Sequence, residues 1–144
     1  MKVSSQAALR MLSVVMGVFL LFMGLSKVGW LTDAGALTSR LYEWLETARP
    51  ANRWYLEHVA IPGAPVFARL VMLGELATGA ALVVGFRVRL AAAVALLMIL
   101  NFHFASDVLF RYSYLTNGYG PPVVGSLLAL VLGGTRLPAS VSTR

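Results

Sequence analysis

The chain contains no cysteine. A dithiol relay, an iron–sulfur cluster and a cysteine nucleophile are therefore excluded within it, and any redox role must use a bound organic molecule or a partner subunit. Charge is scarce too. Only 12% of the 144 residues are charged against 58% hydrophobic, a balance that does not suit a soluble core of this size. His58 and His103 are the only histidines, and no cluster has metal-ligand spacing, so neither a metal site nor a bis-histidine haem is expected. No basic run or recognition helix is present either. The net charge of +6 is scattered around apolar segments, which points to lipid headgroups and topology, not to nucleic acid.

What the chain has is long apolar runs. Four segments, at about 11–31, 66–86, 89–108 and 119–134, approach the ~20 residues that cross ~30 Å of hydrocarbon, the fourth being the weakest. The expected fold is all-α: one integral membrane four-helix bundle over residues 1–144. Lys2 and Arg10 before the first run resemble the start of a secretory signal, but the run is too long for one and reads as a retained helix. The short link Gly85-Phe86-Arg87-Val88-Arg89 makes the second and third spans antiparallel neighbours, and Gly17, Gly24, Gly74 and Ala91 to Ala93 let helix backbones approach closely.

Threading four spans places Lys2, Arg10, Arg87, Arg89, Arg136 and Arg144 on one side with no acidic residue, so both termini are expected in the cytoplasm of a cell whose plasma membrane holds the protein. Every Trp and Tyr falls on the opposite, outer side, where amphipathic rings suit the headgroup layer. The outer loop 32–65 is too long for a plain connection. Within it Leu37, Leu41, Trp44 and Leu45 share one helical stripe, predicting an amphipathic helix on the outer face that Pro50 stops. Its rings either anchor the protein or form a lid over a cavity open to the outer leaflet.

Glu75 stands about ten residues from either end of the second segment. A charge at that depth costs from ~3 to ~10 kcal/mol or more, so it is expected to face the protein interior with a partner. Asn101 and His103 fall in the outer half of the third segment, and Lys27 and Arg69 reach that half from neighbouring helices. His103 and Asp107, four apart, share a helical face where a carboxylate can fix the imidazole tautomer. Each has a plainer reading: Glu75 as an interhelical lock, His103 as a satisfied hydrogen-bonding residue, Lys27 and Arg69 as side chains that snorkel to the interface.

Gly24-x-x-Lys27, then Gly74-Glu75-Leu76-x-x-Gly79-x-x-Leu82-x-x-Gly85-x-x-x-Arg89-Leu90-Ala91-Ala92, and Leu100-Asn101-Phe102 together resemble the DoxX family, especially its DoxD-like branch. The resemblance covers about residues 9–134. It implies a four-helix membrane protein associated with respiratory oxidoreductases, of the kind represented by a thiosulfate:quinone oxidoreductase subunit. The matched positions are Lys27, Glu75, Arg89 and Asn101; the tail Thr135-Arg136-Leu137-Pro138 lacks the acidic ending of that branch. The candidate function is a quinone-linked oxidoreductase subunit, with Glu75 and His103 as catalytic groups and Lys27, Arg69, Arg89, Asn101 and Asp107 around quinone or an anionic substrate. The alternative is a non-catalytic scaffold holding a partner oxidoreductase subunit at the bilayer, as a homo-oligomer or alone. A transporter is the third reading, although no inverted repeat or broken helix supports it.

Overall fold

The structure, a computed structural model, describes residues 4–141, and within them every regular element is helical. Helix α1 spans Ser5–Leu25 and starts where the Ser4 hydroxyl accepts the Ala7 N–H, an N-cap. Helix α2 spans Gly35–Thr47, α3 Pro50–Tyr55, α4 Ala64–Val84, α5 Val88–Ala105 and α6 Pro121–Gly133. A 3-10 turn at Val28–Leu31 follows α1, a π turn at Leu56–Ala60 links α3 to α4, and a second 3-10 turn at Tyr112–Thr116 precedes α6.

Three helices, α1, α4 and α5, are long and apolar enough to cross a membrane. They are apolar on the outside as well as the inside: Met11, Val15, Val18, Phe22 and Leu25 form an exposed stripe along α1, and Leu90, Val94 and Leu97 another along α5. Helices apolar all round belong in lipid. The first span lies about six residues earlier than the hydropathy suggests, because Ser4 caps it and the chain turns into the 3-10 segment after Ser26. The segment expected at 119–134 shrinks to the 13 residues of α6, because Pro121 and Pro122 occupy its first turn, where proline fits but cannot extend the helix backward. At ~1.5 Å per residue α6 reaches only ~20 Å.

Helix α1 packs antiparallel on α4, α4 on α5, α5 on α6, and α6 back on α1. The α1–α4 pair is staggered. Arg10 donates to the Leu82 and Val83 carbonyls and Ser13 to Leu82, Gly17 lies against Gly79, and Gly24 against Leu76. Helix α1 therefore stops level with the middle of α4, and the outer half of α4 must find other neighbours. It finds them in the loop. Leu37 and Leu41 of α2, with Leu56 and Ala60, bury against Ala64, Ala68 and Ala105, forming an outer apolar cluster. A second cluster on the inner side joins Met16, Leu20, Leu82, Ala92, Ala95, Leu127 and Leu130.

Leu37 and Leu41 of α2 are buried against protein, and Trp44 stands edge-on to Phe102 at 6.2 Å. Pro50 does not stop this helix. The helix ends at Thr47, and Pro50 instead opens α3.

Candidate functional site

The stagger leaves a gap between the two clusters, at the outer end of α1. It is a cavity of about 730 Å³, within the range of ligand pockets. Its walls are Phe19, Leu20 and Met23 of α1, Trp30, Leu37 and Trp44 from the outer loop, Ile99 and Phe102 of α5, and Tyr119 and Val123 at the start of α6. Lys27, Glu75 and His103 are the polar groups set into this apolar wall that the sequence singled out; Ser26, Arg40, Ser106 and Asn117 join them.

Glu75 is enclosed, with 8% of its surface exposed. The Lys27 ammonium donates to both its oxygens, at 2.9 and 2.8 Å, and to the Met23 carbonyl at 3.0 Å. Lys27 thus does not snorkel outward. Helix α1 ends two residues before it, the backbone turns, and the side chain folds back into the space α1 has vacated beside α4. Its ammonium also lies 5.8 Å from the centre of the Trp30 ring, a favourable cation–π distance. Thr78, one turn from Glu75, turns its hydroxyl back to the Gly74 carbonyl and adds no partner to the acid.

His103 is buried, and its Nδ1 lies 3.1 Å from the Tyr114 hydroxyl, with the two rings edge to face. The other ring nitrogen has no hydrogen-bond partner among the described residues. The expected His103–Asp107 pair does not form. Helix α5 ends at Ala105 and Asp107 adopts a left-handed backbone (φ 57°), so the helical spacing of four no longer aligns the two side chains.

Asp107 is clamped elsewhere. Arg49 donates to both its oxygens at 2.6 to 3.0 Å, and Arg111 donates at 2.7 Å. Asn101, expected in the site, accepts a 2.6 Å bond from Tyr55, and Asn52 donates to the Phe104 carbonyl. These contacts strap α3 onto the end of α5. Asn101 and Asp107 therefore line no part of the cavity wall and hold the outer cap in place. Arg69 is also outside the cavity, donating to the Leu31 and Pro65 carbonyls, and Arg89 lies at the opposite end of the molecule, donating to Val131.

The clamp makes a pH prediction. The Arg49 hydrogen bonds, opposed by burial and reinforced by Arg111, hold the Asp107 carboxyl at about 2 against its ordinary 3.8. Because the folded state favours the ionised form, the clamp contributes fully above the ordinary carboxyl range and is lost as pH falls through about 2. Both arginines are nearly half-exposed, so screening reduces the contribution to about 1–2 kcal/mol. Asp107→Asn should unfold several degrees below wild type at neutral pH, and the difference should close between about pH 5 and pH 2, measured by thermal unfolding in detergent. A difference that does not change with pH would mean that the clamp is not ionic.

The DoxX family model matches residues 8–106, more than half of the chain and every residue from early in α1 to the end of α5. The chain belongs to the DoxX family. Among curated proteins and among solved structures, none matches it. With three helices able to span a bilayer and this family membership, the DoxX chain is a membrane protein. The match includes Lys27, Glu75 and His103 and excludes Asn117, Tyr119 and Val123, so within this DoxX chain the cavity is completed by residues outside the matched region.

Proposed function

We propose that this DoxX chain is a quinone-binding subunit of a membrane oxidoreductase, of the DoxD-like kind. In this reading it is a four-helix bundle in the plasma membrane, with α6 as a short fourth span, the basic end and both termini in the cytoplasm, and α2 and α3 as a cap in the outer interface. The observation that carries the reading is the meeting of the Lys27–Glu75 pair and His103, itself backed by Tyr114, at one apolar, aromatic-walled cavity.

A flat ring with two carbonyl oxygens fits that donor set. Trp30, Trp44, Phe102 and Phe19 offer faces and edges for the ring. The unpartnered His103 nitrogen offers a donor for one oxygen, and the Lys27 ammonium serves the other by releasing one of the three bonds it makes to Glu75 and the Met23 carbonyl. Quinone, when bound, accepts two electrons and two protons. Glu75 and the His103–Tyr114 pair are the protonatable groups that can pass protons to the cavity. The two electrons come from a reductant: two thiosulfate dianions joining as tetrathionate, or a partner subunit. The chain has no cysteine with which to relay them.

Solvent extraction of the detergent-purified protein should recover about one quinone per chain. Ala36→Trp, which fills the exposed mouth beside Leu37, should lower that at least about tenfold without changing the unfolding temperature, a loss equivalent to more than about 1.4 kcal/mol of binding. No quinone in the wild-type protein from quinone-containing membranes would overturn the reading. A scaffold is the second reading, favoured by one observation: the Lys27–Glu75 pair is internally satisfied and ties the end of α1 to α4, as a lock would. A partner oxidoreductase co-purifying with quinone-free protein would select it.

A further inference from the structure

We infer that the end of the molecule opposite the cavity seats the phosphate of an anionic phospholipid, between the α4–α5 turn and the segment after α6. A second concavity of about 350 Å³ lies there, lined by Arg87, Arg89 and Arg136 with the hydroxyl-bearing Thr135 and Ser140. All six side-chain carboxylates of the chain lie elsewhere, at Asp33, Glu43, Glu46, Glu57, Glu75 and Asp107. None of the three arginines has an ion-pair partner among the described residues. Three guanidinium groups around one hollow repel each other, no carboxylate among the described residues relieves that, and an anion from outside would. The start of the 18-residue α5, Val88 to Leu90, also lines the hollow, and its first turn has no side-chain cap.

The position is fixed, not accidental to a loose loop. Arg10 caps the last carbonyls of α4 and reaches the Ala139 carbonyl, Arg89 is pinned to Val131, and the Val141 N–H donates to Val84. A lipid, not a soluble phosphate compound, suits the rim. Phe86, Leu90 and Leu132 stand exposed beside the hollow, and Leu90 begins the outward apolar stripe of α5 along which an acyl chain can lie. Lys2 and Arg144 lie outside the described residues. This inference does not depend on what the outer cavity binds.

Native mass spectrometry of the full chain in mild detergent, with equal dioleoyl phosphatidylglycerol and dioleoyl phosphatidylcholine, tests it. Wild type should retain phosphatidylglycerol over phosphatidylcholine with a preference of about tenfold, or about twofold for each of the three arginines. Arg87→Gln/Arg89→Gln/Arg136→Gln should lose that preference, and Arg136→Gln alone, which leaves the Arg89–Val131 bond intact, should lower it partly if the triple variant does not fold. Arg53→Gln, at the far end, should leave it unchanged. No preference in wild type, or full preference in Arg136→Gln and the triple variant, overturns the site. Displacement of the lipid by equimolar glycerol 3-phosphate would assign the phosphate to a soluble compound and overturn the lipid assignment.

Discussion

Lys27→Met is expected to lower the unfolding temperature of the detergent-solubilised protein by about 5–10 °C, the equivalent of about 2–3 kcal/mol for a chain of this length. Removing one member of a buried pair costs more than the pair contributes, because the other charge stays buried without a partner. Here that charge is Glu75, whose side-chain oxygens bond to nothing but the ammonium among the described residues. The two side chains keep 14% and 10% of their surface exposed, which places the cost just below the ~3–5 kcal/mol seen for fully buried pairs. Lys27→Met combined with Glu75→Leu should recover most of the loss, since an apolar pair of similar size replaces the ionic one without leaving a charge behind. Quinone content should not recover with it. That separation distinguishes a binding pair from a lock: a double variant that regains both stability and quinone would show that the pair takes no part in binding, and a neutral Lys27→Met would remove the lock as well.

The helices were legible because lipid demands long apolar runs, and Glu75 was legible because a carboxylate in such a run has few reasons to be there. The α4–α5 turn was also written locally, in Gly85, whose left-handed backbone (φ 77°) ends α4 without steric cost. The stagger of α1 was not, although its signal was present: Ser4 is a cap residue, and a hydropathy window does not weigh caps. Pro121-Pro122 likewise marked the true start of α6. Partners far apart in sequence left no local trace. Arg49 lies 58 residues from Asp107, and Tyr55 46 residues from Asn101, so those two polar residues read as site members when they are straps. Arg89, part of the sequence resemblance, sits at the basic end because α5 begins there, whatever chemistry occurs at its other end.

Gly17→Ala and Gly79→Ala should each destabilise the protein by about 2–4 kcal/mol, more than any other glycine-to-alanine change in the spans. A Cβ on Gly17 would stand 2.7 Å from the Gly79 carbonyl oxygen and the Val83 nitrogen, and one on Gly79 would stand 2.8 Å from the Leu21 nitrogen. These are backbone atoms that no rotamer change can move, so α1 must shift away from α4 as a unit. Gly74→Ala offers the contrast. Its new methyl meets the flexible thioether of Met98, which can swing aside, and the cost should stay below about 1 kcal/mol. Gly125→Ala meets nothing within 4 Å and should gain about 0.5–1 kcal/mol from helix propensity alone. Thermal unfolding of the four variants should therefore rank Gly125→Ala above wild type, Gly74→Ala near it, and the two contact glycines far below. The site should register the same displacement, because Lys27 reaches Glu75 only while α1 ends level with the middle of α4. At temperatures where Gly17→Ala is still folded, its quinone content should fall although no cavity residue has changed; an undiminished content would mean that the cavity does not depend on the register of α1 against α4.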